Sequence, residues 1–228
     1  MKRKKSYLPI SLLIALSLLF IISGCKKENI IENIITGTFI DTRDNKEYNW
    51  VKIGSQTWMA ENLNFETRSG SWCYNNNANN CIIYGLLYKG ETALADNNGN
   101  GIDICPIGWH LPTDEEWKTL EENLGMPITI ANEVSWRNFA DVGKKLKTEL
   151  GWDFNNGNNL SKFEALPGGY MTVGNAFTDA GKKAYFWTAS EYNYHQLWYR
   201  RLAFDMVGVY RYWMDKERSF SVRCVKDE

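Results

Sequence analysis

Residues 113–125 read Thr-Asp-Glu-Glu-Trp-Lys-Thr-Leu-Glu-Glu-Asn-Leu-Gly, and this stretch predicts the best-marked helix of the chain. Thr113 and Glu116 have the spacing of a capping box, in which each side chain bonds a free backbone amide of the first turn. Gly125 follows where a C-terminal cap belongs. The helical period predicts a core face and a solvated acidic face. The core face holds Trp117, Leu120 and Leu124, and the acidic face holds Glu115, Glu116, Glu121 and Glu122.

Strand patterns lie on both sides of this helix. Before it, residues 38–40, 46–53 and 56–59 predict a strand meander. After it, residues 139–149 predict a second helix whose core face holds Val142, Leu146 and Leu150. Four further strands are predicted at residues 184–189, 197–204, 207–213 and 219–225. Strands, then helices, then strands indicate an α+β fold with antiparallel sheets, two main helices and long loops rich in Asn and Gly.

The predicted C-terminal strands carry several arginines, namely Arg200, Arg201, Arg211 and Arg223. Opposite charges on neighbouring strands commonly pair across the sheet. We therefore expect ion pairs between these arginines and acidic residues such as Glu191 or Asp205.

Residues 1–25 have the organisation of an export signal. Four basic residues precede an apolar stretch from Leu8 to Ile22, which is too short and too often interrupted by serine for a convincing membrane span. Ile22-Ser23-Gly24-Cys25 matches the bacterial lipobox, in which the cysteine is acylated after cleavage. The sequence thus predicts a lipoprotein signal peptide at 1–24, a lipidated tether at 25–36 with Cys25 as the attachment site, and a single domain at 37–228.

Four cysteines remain if Cys25 carries lipid, and an even number in an exported protein favours two disulfides with three possible pairings. Cys73 and Cys81 flank an Asn-rich turn, so that a local bridge is the simplest choice. The remaining pair, Cys105–Cys224, would join the middle of the domain to its last strand. Zinc is the competing interpretation, but the chain has no C-x-x-C pair and two histidines.

The charge balance restricts the partners. The whole chain has a net charge of −1, and removal of residues 1–24, with four basic and no acidic residues, leaves 204 residues with a net charge of −5. Nucleic acid is therefore not an expected partner, because affinity for phosphates needs clustered positive charge. We expect attachment to a membrane through the lipid, at the cell envelope and in the outer membrane. The motif does not decide between the periplasmic and the surface-exposed leaflet.

Five segments together resemble a known family: residues 52–63 (Lys-Ile-Gly-Ser-Gln-Thr-Trp-Met-Ala-Glu-Asn-Leu), 105–117, 166–170, 185–191 and 220–225. In this order they resemble the Fibrobacter succinogenes major paralogous domain, found mostly in exported lipoproteins of Bacteroidota and Fibrobacterota. The resemblance covers roughly residues 37–226. That family has no established activity, so it implies a fold and an exported location rather than a reaction.

The helix start at 111–117 and the Arg-Cys-Val ending at 223–225 more remotely resemble the C-type-lectin-like fold of formylglycine-generating enzymes. In that resemblance Cys105–Cys224 corresponds to the long disulfide between the first helix region and the last strand. The copper chemistry of those enzymes needs a late cysteine pair, and here Cys224 is the single late cysteine. The calcium motifs of lectins do not occur either. We therefore expect no cofactor.

The sequence contains a candidate calcium loop and a candidate catalytic histidine, and each also has a structural explanation. Residues 96–103 (Asp-Asn-Asn-Gly-Asn-Gly-Ile-Asp) open like a calcium loop, with candidate oxygen ligands at Asp96, Asn98, Asn100 and Asp103. The twelfth position is Ile107 instead of a bidentate Glu, which favours an Asn/Gly-rich surface turn and no metal. His110 stands at the start of the capped helix, where a packed, hydrogen-bonded histidine is favoured over a catalytic base.

A candidate ligand site follows if the last four strands form a simple antiparallel meander. Residues 191–196 and 214–218 would then lie at one end of the sheet, because successive connections alternate between its ends. That end would gather Tyr192, Tyr194, His195 and Trp213. Rings with polar tips on exposed loops can stack on sugars or anchor a protein, although the same rings could instead fold back on the core.

No catalytic constellation of side chains is recognisable, which makes an enzyme the less favoured class. The sequence therefore predicts a non-catalytic envelope lipoprotein that binds glycans or surface polymers. One alternative is an envelope hydrolase whose site is not visible in the sequence. Another is a structural component that binds protein partners in a surface complex. Neither the ligand nor the oligomeric state can be read from the sequence.

Overall fold

A computed structural model describes residues 34–95 and 103–228. The helices are α1 (Ala78–Tyr84), α2 (Gly90–Leu94), α3 (Asp114–Asn123), α4 (Ile128–Ala131) and α5 (Val142–Leu146). The strands are β1 (Ile35–Asp41), β2 (Lys46–Ile53), β3 (Gln56–Met59), β4 (Ser71–Trp72), β5 (Leu87–Lys89), β6 (Trp109–His110), β7 (Ser135–Arg137), β8 (Gly168–Met171), β9 (Phe177–Ala180), β10 (Lys183–Asn193), β11 (Gln196–Ala203), β12 (Val209–Asp215), β13 (Ser219–Ser221) and β14 (Val225–Lys226). The fold is mixed α+β, and two of these helices have seven or more residues.

The strands form two sheets. The first sheet has the order β1-β2-β3-β14-β6, and the second has the order β4-β5-β13-β8-β10-β11-β12-β7, with β9 beside β8. Most neighbours are antiparallel, and β10 pairs in parallel with β8 and β13. The predicted meander of β1, β2 and β3 is present in the first sheet.

Helix α3 has the predicted ends. Thr113 Oγ1 accepts a hydrogen bond from the Glu116 amide at 3.2 Å, and Glu116 Oε2 accepts one from the Thr113 amide at 2.7 Å. This capping box stabilises the first turn. Trp117 and Leu120 are buried with Trp58 of β3 and Phe186 of β10, so the helix packs between the two sheets and contributes to the first of two cores.

The second predicted helix is much shorter than expected. Helix α5 ends at Leu146, and Lys147 adopts an extended backbone. Val142 and Leu146 are buried as predicted, but Leu150 is 73% exposed. The prediction for Leu150 is wrong because the helical period no longer applies after Leu146.

The last predicted strand is also different. β10, β11 and β12 form an antiparallel meander, but β13 returns to the opposite side of β10 instead of lying beside β12. The segment predicted as one strand at 219–225 is interrupted after Ser221, and Val225 belongs to β14 in the first sheet. The chain therefore links the two sheets at its C-terminal end.

Two disulfides are present, Cys73–Cys81 and Cys105–Cys224, the pairing expected from the sequence. Cys73–Cys81 does not enclose a simple turn, since the intervening residues form a 3₁₀ turn (Tyr74–Asn76) and the start of α1. Cys105 and Cys224 are both buried in a second core that also contains Trp109 and Phe220. The long bridge thus connects the segment before β6 to the end of the domain.

The charged residues of α3 correct the prediction that Glu121 is solvated and the prediction that the sheet arginines pair across neighbouring strands. Glu121 is completely buried instead of solvated, and Asp114 is 5% exposed. Arg200 bonds both of them, with Nη1 2.7 Å from Asp114 Oδ1 and Nε 2.7 Å from Glu121 Oε1. Arg137 also pairs with Glu121, and Arg211 pairs with Asp114. Arg137, Arg200 and Arg211 are thus neutralised by carboxylates of the helix packed on the sheet.

The expected pairs with Glu191 and Asp205 are absent from the described residues. Glu191 forms its ion pair with Lys216, and Asp205 forms none. Arg223 has no carboxylate partner there, because its guanidinium donates to Asn62 Oδ1 and to backbone carbonyls. The expectation of cross-strand ion pairs is wrong, since the carboxylates that pair with Arg200 and Arg211 belong to helix α3.

Several sequence predictions concern residues outside this description. The signal peptide, Cys25 and most of the tether lie before residue 34, and Asp96, Asn98 and Asn100 of the calcium candidate lie in 96–102. Among residues 34–95 and 103–228, no helix is long and apolar enough to cross a membrane.

Candidate functional site

The loops at residues 191–196 and 214–218 do lie at the same end of the second sheet. Gln196 pairs with Asp215 in the β11–β12 register, and the Lys216 amide donates to the His195 carbonyl at 3.0 Å. The tight turn of the β10–β11 hairpin is held by Asn193, whose Oδ1 accepts from the His195 amide at 2.9 Å. The Asn side chain supplies this bond locally, which explains why the hairpin turns here.

Three aromatic rings form a stack beside this hairpin. Trp213 lies between Tyr192 and Tyr212, with centroid distances of 3.9 Å on both sides and interplanar angles of 7° and 15°. Trp198 meets Tyr192 and Trp213 edge-on, at 5.4 Å from each. We call these four residues together with Tyr194 and His195 the loop-end aromatic surface.

The rings of this surface differ greatly in exposure. Tyr194 is 81% exposed and Tyr192 is 45% exposed, whereas Trp213 is half-buried. His195 is exposed and contacts the Tyr194 ring edge-on at 4.9 Å. Because Trp213 has a ring against each of its faces, the faces offered to a ligand belong to Tyr192 and Tyr194. Trp213 therefore supports Tyr192 more than it contacts a ligand.

Polar groups border the rings. Lys216 Nζ pairs with Glu191 and lies 5.7 Å from the centre of the Tyr194 ring. Asn193 Nδ2 donates to Gln196 Oε1 at 2.8 Å. Ring faces flanked by an ammonium, a carboxylate and amides combine apolar contact with directional hydrogen bonding. This combination suits a ligand that has apolar patches and many hydroxyl groups.

The surface is connected to the buried charges beneath it. The Arg211 guanidinium lies 3.8 Å from the centre of the Trp198 ring, and its Nη2 lies 2.6 Å from Asp114 Oδ2. Burial opposes ionisation of Asp114, but hydrogen bonds and charges of Arg211 and Arg200 lower its pKa well below the ordinary value. Asp114 therefore keeps its charge and fixes Arg211, which in turn positions Trp198.

Sequence reasoning identified Tyr192, Tyr194, His195 and Trp213, and the structure brings them together at one end of the sheet. It missed Trp198, Tyr212 and Lys216. The signal for Trp198 is its register opposite Trp213, which cannot be known before the strands are paired. Lys216 could be found only from its contact with Glu191, because a lone lysine in a loop carries no pattern.

A second concave feature was not expected. A cavity of about 630 Å³ lies between the first sheet and α1, with Trp50, Asn62 and Tyr84 among its lining residues. Arg223 forms part of its wall, and burial lowers the pKa of Arg223 to about 9, although the charges of Glu61 and Glu164 act against this. Its guanidinium is already fully engaged with Asn62 and backbone carbonyls. The arginine thus holds the cavity wall in place.

The remaining site candidates show structural roles. His110 bonds Glu116 through Nε2 at 2.7 Å and Asp227 through Nδ1 at 2.6 Å, which makes it a packed, hydrogen-bonded histidine. Asp103 accepts from the backbone amides of Cys105 and Leu111 at 2.9 Å and 2.6 Å. Within residues 34–95 and 103–228, no group of three or more His, Cys, Asp or Glu has an arrangement that could hold a metal ion.

A family model for the Fibrobacter succinogenes major domain matches residues 51–226. The chain therefore belongs to that family. The match includes both disulfides, helix α3 and the loop-end aromatic surface. No curated protein and no solved structure matches this chain significantly.

Proposed function

We propose that this protein is a non-catalytic lipoprotein of the cell envelope whose domain binds glycans or surface polymers. The observation that carries the proposal is the loop-end aromatic surface, in which Tyr192 is supported by Trp213 and Trp198 and Tyr194 presents a ring that is 81% exposed. Tyrosine rings cost little conformational entropy when they bind, and their hydroxyl groups add hydrogen bonding.

The envelope location rests on the lipobox. Acylation at Cys25 would tether the domain to the outer membrane, and the net charge of −5 after cleavage suits a soluble domain beside a membrane. We also propose a C-type-lectin-like arrangement. It is supported by Cys105–Cys224, which links the segment before α3 to the segment before the last strand.

A panel of immobilised polysaccharides, both neutral and acidic, tests the binding function with the purified full-length protein. We expect retention on at least one polysaccharide and a loss of about tenfold in affinity for Tyr192→Ala and Tyr194→Ala. Phe154→Ala is the matched control, because Phe154 is 73% exposed and lies outside the surface. Unchanged binding in both tyrosine variants would overturn the role of this surface.

The same preparation separates the other classes of function. A hydrolase would release reducing ends from a bound polysaccharide over time, whereas a binding module leaves the polymer intact. A structural component of a surface complex would be retained by no polysaccharide and would cross-link to envelope proteins through this surface. Either result would replace the proposed function.

A further inference from the structure

One face of the second sheet carries a row of side chains that crosses five strands. Tyr170 of β8 lies beside Tyr185 of β10, since their neighbours Gly169 and Ala184 are paired. Tyr185 pairs with Arg201 of β11, Arg201 with Tyr210 of β12, and Tyr210 with Trp136 of β7. A single arginine therefore stands in the middle of an otherwise aromatic row. We call it the tyrosine–arginine row: Trp136, Tyr170, Tyr185, Arg201 and Tyr210.

Rings hold the guanidinium of Arg201. Its Cζ lies 4.0 Å from the centre of the Tyr210 ring, 5.0 Å from that of Trp136 and 6.0 Å from that of Tyr185. Among the described residues Arg201 forms no ion pair, and its buried Nε has no hydrogen-bond partner. Cation–π contacts fix its position and leave its hydrogen-bonding capacity unused.

Arg218 lies next to the row and, like Arg201, contacts an aromatic ring and has a buried Nε. Its Cζ is 5.5 Å from the centre of the Tyr170 ring, and its Nη1 donates to the Tyr170 hydroxyl at 3.3 Å. Its buried Nε also lacks a partner in the described residues, and no described carboxylate forms an ion pair with it. The Tyr170 ring lies 4.7 Å from that of Tyr185, which Arg201 also approaches, so the two arginines border the same group of rings.

The carboxylate that contacts this row belongs to Asp179, and it already binds Tyr185 and Lys183. Asp179 Oδ2 accepts from the Tyr185 hydroxyl at 2.6 Å and pairs with Lys183 Nζ at 3.1 Å. By contrast, Arg200 and Arg211 on the opposite face are neutralised by Asp114. Tyr185 is buried, and the other members of the tyrosine–arginine row are part-exposed, so the row presents a positive charge among aromatic rings on a chain whose net charge is −1.

The row is continuous with the loop-end aromatic surface. Tyr210 lies 5.8 Å from Tyr212, and Tyr212 stacks on Trp213 at 3.9 Å. Tyr210 and Tyr212 are two residues apart on β12 and therefore lie on the same face of the sheet, about 7 Å apart along the strand. A polymer bound at the loop end could therefore extend along the rings to Arg201.

We propose that Arg201 and Arg218 bind the acidic group of a polysaccharide, a carboxylate or a sulfate, so that the ligand of this protein is an acidic glycan. The proposal rests on the glycan-binding function above and specifies its ligand class. Guanidinium groups bind both oxyanions with charge-assisted hydrogen bonds, and the neighbouring rings stack on the sugar. The part-exposed rings of Trp136, Tyr170 and Tyr210 favour a sugar chain over an acidic peptide, which would need backbone partners along a strand edge.

The test compares four immobilised or titrated polymers with the full-length protein: alginate for carboxylates, dextran sulfate for sulfates, neutral dextran, and polyglutamate as an acidic peptide. We expect at least tenfold tighter binding to alginate or dextran sulfate than to dextran, with affinity falling as salt increases. The acidic polysaccharide that binds more tightly shows whether the preferred anionic group is a carboxylate or a sulfate. Polyglutamate should bind no more tightly than dextran.

Variants assign the effect to the two arginines. Arg201→Gln and Arg218→Gln should each lower affinity for the preferred acidic polymer about tenfold and leave dextran binding unchanged. Arg68→Gln is the matched control, because Arg68 is an exposed arginine outside the row and its loss changes the net charge equally. Thermal unfolding of each variant confirms that the fold is retained, and Arg201→Lys provides a second variant that keeps the charge if Arg201→Gln unfolds.

The outcomes separate this inference from the proposed function. Equal binding to dextran and to both acidic polysaccharides, or equal losses for Arg68→Gln and Arg201→Gln, overturns the acidic-glycan inference and leaves glycan binding in place. Polyglutamate binding as tight as that of the acidic polysaccharides overturns the choice of a glycan. No binding to any polysaccharide overturns both proposals.

Discussion

In the interior of the domain Arg137 donates two hydrogen bonds to Glu121, from Nη1 to Oε2 at 2.5 Å and from Nη2 to Oε1 at 2.7 Å. Both side chains are inaccessible to solvent. Glu121 also accepts from Arg200 Nε, so that one carboxylate of α3 binds arginines from β7 and β11. This relationship makes α3 the element that holds the edge and the middle of the second sheet together.

Replacing Glu121 should therefore be strongly destabilising. Glu121→Gln leaves Arg137 and Arg200 without a shared carboxylate, and breaking a buried pair in this way costs about 3–5 kcal/mol. Chemical denaturation would measure the free energy of unfolding. Glu122→Gln is the control on the same helix, with an expected change below about 0.5 kcal/mol. Equal effects of the two substitutions would contradict the role of Glu121.

The two disulfides should contribute unequally to stability. Cys105–Cys224 spans 119 residues and Cys73–Cys81 spans 8. In the chain-entropy account the long bridge stabilises by about 5 kcal/mol and the short one by less than about 3 kcal/mol. Paired Cys→Ala variants, compared by urea denaturation, would measure the difference. Non-reducing peptide mapping that joins Cys73 to Cys105 or to Cys224 would refute the pairing itself.

His110 should make stability depend on pH in the neutral to alkaline range. The hydrogen bond to Glu116, followed by that to Asp227, raises the pKa of His110 from 6.5 to about 9, although partial burial acts against this. Because the folded-state pKa is the higher one, the stabilisation is complete below pH 6.5 and is lost as pH rises through about 9. Denaturation at several pH values should show this decline in the native protein and a flatter profile in His110→Gln. A native profile that rises over this range would contradict the assignment.

The rings of the loop-end aromatic surface should differ in their effect on stability. Tyr194 is 81% exposed, so Tyr194→Ala should change the free energy of unfolding by less than about 0.5 kcal/mol. Trp213 has rings on both faces, and Trp213→Ala should cost about 2 kcal/mol. Thermal or urea unfolding measures both. Equal costs would mean that Trp213 does not support the surface.

Cys25 should be the site of lipid attachment. Cys25→Ser removes the sulfur that is acylated, so we expect the protein to leave the membrane fraction or to remain unprocessed. Detergent phase partitioning and mass spectrometry of the N-terminal peptide measure this. Ser23→Thr, which leaves the cysteine in place, is the control. A Cys25→Ser protein that is still processed and enters the detergent phase would disprove the lipobox assignment.

Local signals in the sequence predicted local structure well. The capping box of Thr113 and Glu116 correctly located α3, and the strands predicted at 184–189, 197–204 and 207–213 correspond to β10, β11 and β12 with ends shifted by one to four residues. The burial of Glu121 could not be predicted, because its partner arginines come from strands far away in the sequence. For the same reason the sequence placed 219–225 in one strand, although its residues belong to two sheets.

The candidate site was predictable only in part. Tyr192, Tyr194 and His195 lie in one hairpin, so their proximity is a property of the local sequence. The support by Trp198 and Tyr212 depends on strand register and ring packing, which the pattern of residue types does not specify. The row around Arg201 likewise requires five strands to be placed in order before it can be seen.

Strand β14, near the C-terminal end of the domain, completes a sheet whose first strands lie near the N-terminal end. Val225 pairs with Trp58 of β3 on one side and with His110 of β6 on the other. The first sheet therefore lacks a partner between β3 and β6 until Val225 is available. Contacts between such distant residues slow folding, because a long loop must close before they form. A nascent chain that stops short of Val225 cannot complete this sheet, so β3 and β6 wait for a strand that is made more than 100 residues after them.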